Sequence, residues 1–315
     1  MRLRNEFLSS GYKTARQNEA LVNNVSLLNP RRMKIFVFWV LFSILSVNLE
    51  AKLDFAGYRN WATLLVTDCS SDVHKQINLA LGGSSSKDAI EIPTTNDKKP
   101  HLSCASNSFN GKSAINLTLY TNDNDPATND NDRQRIEMKV FESSPTQLKA
   151  TKNTNYIYTW WFHLNPTLKA GDKFFHIFQI KAVGKGVQTD PMATFTLTKE
   201  DGLHLRLKKN ENGNPVHTKM LSLSSVKGKW IQAYVRVQYM SDATPGKDST
   251  SGSIKVILND QSGKQLFEKT IYNKMVWTAA SFYRPKWGLY RSKSSQYQQP
   301  ADWELFNDIQ IWKKE

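Results

Sequence analysis

From residue 134 to residue 312 the chain repeats one pattern: short stretches rich in β-branched and aromatic residues, separated by polar clusters that favour turns. The stretches are 134–140, 155–164, 173–181, 193–198, 203–208, 230–239, 253–258, 265–272, 287–291 and 305–312. The separators include KNENGNP at 208–214, SDATPGKDSTSG at 241–252 and DQSG at 260–263. Many short strands with polar turns must bury their apolar faces against one another, so the pattern predicts a sandwich or jelly roll. Residues 52–120 give mixed signals, with loops at 82–88 and 94–99 and one short helix over 71–81. The segment TNDNDPATNDND at 121–132 reads as an Asx-rich loop.

The N-terminus is organised differently. Residues 35–47 read IFVFWVLFSILSV and follow RRMK. Thirteen apolar residues fall short of the roughly 20 that span a bilayer. A basic flank, this apolar run and the small Ala51 predict a secretory signal peptide over 33–51. Residues 1–32 then form an unstructured extension or lie upstream of a true start at Met33. The competing reading makes the apolar run a signal anchor. The expectation is a secreted, extracellular protein with its body at 52–315, and a signal-anchored membrane protein is the alternative. Cys69 and Cys104, the two cysteines, are then expected to pair as a disulfide. Asn116-Leu117-Thr118 is a glycosylation sequon compatible with the same route.

Charge bounds the partner. The chain carries a formal +14, and residues 1–51 hold seven basic and three acidic residues, leaving +10 for the remaining 264. Such a balance suggests an acidic partner, whether nucleic acid, anionic lipid or an acidic glycan, with a basic but uninvolved surface as the plainer reading. The basic residues are spread along strand-like segments without a block of nucleic-acid type, which directs the expectation to an acidic polysaccharide rather than nucleic acid. Nine tryptophans suit either an aromatic core or a sugar-binding face. A monomer is expected.

Alternation assigns side chains to faces. Arg135, Glu137 and Lys139 share one face of their strand, with Ile136 and Met138 on the other. In 173–181, Gln179 and Lys181 share a face with Phe175 and Ile177. His176 falls opposite, with Phe178 and Ile180, and reads as structural. In 230–239, Gln232, Tyr234 and Arg236 face away from Ile231, Ala233 and Val235. Lys286, Gly288 and Tyr290 align. If these strands are neighbours, the shared face is a polar, basic groove. The plainer reading is the solvated face of an outer sheet.

Three short motifs carry a resemblance: Arg135-Ile136-Glu137, Gln179-Ile180-Lys181 and Lys286-Trp287-Gly288-Leu289-Tyr290. In order and spacing they resemble the R-x-E, Q-I-H and K-x-G-x-Y motifs of jelly-roll alginate lyases. The surrounding RQRIEMKV, FHIFQIK and RPKWGLYRS are more similar to the glucuronan-lyase-like proteins of polysaccharide lyase family 20. The resemblance covers about residues 105–315. It implies a concanavalin-like β-jelly roll, two antiparallel sheets with a concave cleft, that cleaves a uronate-containing polysaccharide by β-elimination. Lys181 stands where the alginate lyases have histidine, which points away from alginate toward glucuronan-like chains and leaves the base open. His163 is a further candidate.

Such an elimination needs the uronate carboxylate neutralised, a base for the C5 proton and an acid for the leaving O4. Arg135 suits a carboxylate, Gln179 offers an amide donor, and Tyr290 suits the acid, or the base where a neighbouring cation favours phenolate. Glu137 is expected to orient Arg135, with Lys181, Lys286, Gln232, Tyr234 and Arg236 binding substrate. No cofactor is required for this chemistry. The resemblance implies a structural calcium, for which Asp308 or the 121–132 loop would supply oxygens. A non-catalytic, lectin-like jelly roll is the alternative function. A hydrolase is less favoured, because the chain lacks E-x-D-x-x-E and G-x-S-x-G patterns.

Overall fold

The computed structural model describes residues 53–315, apart from 85, 94–98, 127–131, 188–189, 200–201, 209–211, 246–250 and 294–300. The expected extension and signal peptide, over 1–51, lie outside the described residues.

The strands are β1 (Tyr58–Leu64), β2 (Ile90–Glu91), β3 (Leu102–Phe109), β4 (Lys112–Tyr120), β5 (Arg133–Lys139), β6 (Thr154–Leu164), β7 (Phe175–Val183) and β8 (Ala193–Thr198). They continue with β9 (Gly202–Lys208), β10 (Pro215–Leu221), β11 (Trp230–Tyr239), β12 (Ser253–Asp260), β13 (Gln265–Tyr272), β14 (Phe282–Ser292) and β15 (Ala301–Lys314). Every stretch expected from alternation forms a strand, within a few residues at its ends. Helix α1 (Val73–Leu81) lies where one was expected. Asp72 caps it by accepting from the His74 amide, Gly82 closes it in the left-handed region at φ 81°, and Val73, Ile77 and Leu81 bury one stripe.

Two antiparallel sheets result. One runs β13-β12-β11-β6-β15-β4-β3, with β1 joined to the second half of β15. The other runs β10-β9-β8-β7-β14-β5-β2. The neighbours are far apart in sequence, as jelly-roll connections demand. Between the sheets lies an aromatic core. Trp160 of β6 stacks on Phe178 of β7 at 4.5 Å and meets Trp287 of β14 edge-on at 6.3 Å. Cys69 and Cys104 are bonded, tying β3 to the segment after β1. A cross-link closing a loop of this length stabilises by roughly 3–4 kcal/mol.

Two irregularities shape the outer face of the β7–β14 sheet. In β7 the register to β8 shifts between His176 and Phe178, so Ile177 and Phe178 both enter the core. This bulge overturns the expected assignment of His176: strict alternation breaks at Ile177, and the imidazole emerges on the same face as Gln179. In β14, Gly288 has φ 133°, and a Cβ there would come within 2.2 Å of the Ile136 carbonyl oxygen. Only glycine fits that conformation and that approach. Gly288→Ala should lower stability by at least about 1–3 kcal/mol, read as a reduced denaturant midpoint.

Candidate active site

The motif residues converge on the outer face of the second sheet. Gly288 pairs with Glu137 and Tyr290 with Arg135 across β14 and β5, while Lys286 pairs with Gln179 across β14 and β7. Ile136, Trp287 and Ile180 point into the core between them. Alternation therefore delivers Arg135, Glu137, Gln179, Lys286 and Tyr290 to one surface.

Most of these groups are buried and satisfied by one another. Arg135 contacts Glu91 at 3.2 Å, Asp125 at 2.9 Å and Glu137 at 3.6 Å. Glu91 also receives Lys139 at 2.8 Å and Lys286 at 2.7 Å. Glu137 binds Lys286 and accepts from the Gln179 amide. Burial works against charge on Arg135, and Glu137, Glu91 and Asp125 outweigh it. Burial likewise opposes charge on Glu91, yet Lys286, Arg135 and Lys139 hold its carboxyl well below the usual range. The floor is thus a compensated ion network rather than a uniformly basic groove.

Tyr290 lies above this floor, half-buried. Its ring covers the Arg135 guanidinium at 4.0 Å, and its hydroxyl accepts from Arg133 Nη1 at 3.3 Å. Phe174 and His176 flank the ring, with centroids at 4.9 and 6.0 Å. His176 Nδ1 bonds the Thr196 hydroxyl at 2.9 Å. Burial, with Arg206 and Arg135 nearby, pushes His176 down to about 3, so its ring is neutral. Lys181 is half-buried and takes part in no ion pair among the described residues. Burial first, then Lys286, Arg135 and Arg284, push it down to about 8. The surface thus presents a phenol between two guanidiniums and an uncommitted ammonium, an arrangement that can move a proton beside a bound anion.

Residues 81–309 match the family model described as polysaccharide lyase. The chain belongs to the polysaccharide lyase family. The lyase is therefore an enzyme acting on polysaccharide, which sets the lectin-like reading aside. Among solved structures, it aligns with alginate lyase A1-II', a member of polysaccharide lyase family 7, at 14% identity and TM-score 0.49 over 84% of this chain and 98% of that one. Alginate lyase Aly36B aligns at 12% identity and TM-score 0.47, covering 81% and 96%. Alginate lyase AlgAT5 aligns at 13% and 0.44, covering 86% and 100%. No curated protein matches the chain.

The lyase departs from the sequence expectations at several residues. Gln232, Tyr234 and Arg236 do not join the site. Their strand, β11, lies in the other sheet between β6 and β12, and Tyr234 packs there with Ile157, Ile257 and Phe55. Gln232, Tyr234 and Arg236 do alternate with the core residues Ile231, Ala233 and Val235, but face polarity carries no information about which sheet a strand joins. His163 also lies on that sheet, stacked on Trp303 at 5.6 Å, and supplies no base to Tyr290. Asp308 accepts from Gln310 at 2.7 Å, and among the described residues no three His, Cys, Asp or Glu stand together as metal ligands. In the Asx-rich loop, where 127–131 lie outside the described residues, Asp125 instead holds Arg135. Arg133 and Glu91 escaped the sequence reading. Arg133 stands two residues before Arg135 on the same face, a signal that could have found it, while Glu91 sits on a two-residue strand with no pattern to read. Asn116 is half-buried on β4, its amide donating to Ser103. No helix among the described residues is long and apolar enough to cross a membrane.

Proposed function

We propose that the lyase cleaves a glucuronan-like polyuronate by β-elimination, with Tyr290 at the reacting centre. The observation that carries this reading is the Tyr290 hydroxyl, held by Arg133 and backed by Arg135 on its ring face. A phenol so placed is stabilised while it bears negative charge. The phenolate takes the proton from C5. The C4–O4 bond breaks as a C4–C5 double bond forms, and the same proton passes to O4. Lys181 binds the substrate carboxylate and offsets the charge that develops on it. Arg135, Glu137, Gln179 and Lys286 position these groups from below.

Two findings support this over hydrolysis. A hydrolase needs a protonated carboxylic acid beside a second carboxylate. Glu91 is held ionised by three cations, and Glu137 is fully buried beneath Lys286 and Gln179. Lys181, in the place of the alginate lyases' histidine, supports a substrate other than alginate. The test is a panel of polyuronates followed by the ultraviolet absorbance of unsaturated ends. Absorbance is expected on glucuronan, and reducing ends without it would contradict elimination.

Lys181 also predicts a pH dependence. Its ammonium is charged below about pH 8 and neutral above. KM for an acidic polymer should therefore rise as pH increases through that value, an alkaline limb in kcat/KM. Lys181→Gln should start with a higher KM and lack the limb.

Secretion belongs to the same proposal. The apolar run at 35–47, the Cys69–Cys104 bond and the sequon at Asn116 support it. Mass spectrometry should find a mature N-terminus at or near Lys52, and retained residues 1–32 would favour an anchor instead.

A further inference from the structure

Beside Tyr290, toward β8–β10, the outer face opens into a cavity of about 400 Å³. Its walls include Phe174 and His176, the two rings that touch Tyr290, together with Thr196, Arg206 and His217. The mechanism above uses none of the last three. Arg206 lies on β9, opposite Thr194 on one side and His217 on the other. Its state contrasts with that of Arg135. Where Arg135 faces three carboxylates, Arg206 has one ion-pair partner among the described residues, Asp190, at 3.7 Å. Its Nη1 is buried without a hydrogen-bond partner. Asp190 is itself drawn closer to Lys208, at 3.1 Å. A guanidinium on a cavity wall, with one buried nitrogen uncommitted and the other held only loosely by Asp190, has the geometry to turn toward a planar anion. Phe174 adds a half-exposed ring face, and the Thr196 hydroxyl and His217 imidazole add polar groups of the kind that bind sugar hydroxyls.

We infer that this cavity is a second anion subsite, in which Arg206 binds the carboxylate of a uronate unit neighbouring the one held at Tyr290 and Lys181. The inference rests on the polyuronate reading of the Tyr290 site. It gives the lyase two carboxylate contacts along one strand of substrate, so that it selects a run of uronates over an isolated one.

The test measures binding of a glucuronate hexasaccharide and of a neutral hexasaccharide by calorimetry, in a Tyr290→Phe background that does not consume the ligand. Arg206→Met is expected to weaken the acidic ligand about ten- to a hundredfold, the loss of a charge-assisted hydrogen bond, with the neutral ligand unmoved. Asp190→Asn, at an exposed position that removes the competing carboxylate, is expected to tighten the acidic ligand several-fold. It serves as a second reading if Arg206→Met fails to fold. Affinity for the acidic ligand that neither substitution changes would overturn the subsite, as would no binding of it at all. Unsaturated product formed by a protein whose affinity ignores Arg206 would sink this inference alone. Arg206-dependent binding without unsaturated product would sink the elimination reading and keep the subsite.

Discussion

Replacing Tyr290 by Phe should lower kcat on a polyuronate by about 10²- to 10⁴-fold, the range supplied by a positioned proton-transfer group. The substitution removes one oxygen and leaves the ring that covers Arg135 and packs on Phe174. Binding should therefore survive, and stability should change by about 1 kcal/mol, the scale of a single hydrogen bond. The separation matters. A residue that merely shaped the floor would alter KM and the melting temperature together, whereas the missing hydroxyl should alter kcat alone. Single-turnover absorbance at saturating substrate, set beside calorimetric affinity, reads the two independently.

Replacing Glu137 by Ala should act first on stability. Glu137 is fully buried and binds Lys286, Arg135 and Gln179 from one carboxylate. Its removal leaves Lys286, 1% exposed, with Glu91 alone, and frees a donor on Gln179. Breaking one side of a buried ion network costs about 3–5 kcal/mol. For a domain of this size that corresponds to a fall in melting temperature of roughly 6–20 °C. Activity should fall too, because Arg135 loses a contact that fixes it under Tyr290. Glu137→Gln keeps the shape and part of the hydrogen bonding, so it should recover part of the stability. A Glu137→Ala protein with unchanged melting temperature would mean that the network is not structural.

These two residues show how far the sequence could be read. Period-two alternation located the strands of the second half except β10, Pro215–Leu221, and three motifs brought Arg135, Glu137, Gln179, Lys286 and Tyr290 to one face. Alternation is a local property, however, and three features of the site are not local. The bulge at Ile177 reverses the face of His176, and it depends on how β7 registers with β8 and β14. The membership of β11 in the other sheet depends on long-range pairing, which misdirected Gln232, Tyr234 and Arg236. The neutralisation of Arg135 depends on Glu91 and Asp125, which reach the site from a two-residue strand and a loop. The early strands β1 and β3 stayed hidden because Asn and Ser interrupt their apolar positions, whereas β4 does alternate Ile115, Leu117 and Leu119 with Asn116 and Thr118, a signal that could have found it. The effect on function is specific. The strand faces suggested a polar, basic groove, while in the folded site Glu91, Asp125 and Glu137 compensate Arg135, Lys139 and Lys286.

The most direct measurement is the ultraviolet absorbance of purified protein incubated with glucuronan near neutral pH, run in parallel with a reducing-end assay. The account predicts that absorbance and reducing ends rise together in the native protein, and that both are lost in Tyr290→Phe. Reducing ends released without absorbance, or absorbance undiminished in Tyr290→Phe, would contradict it.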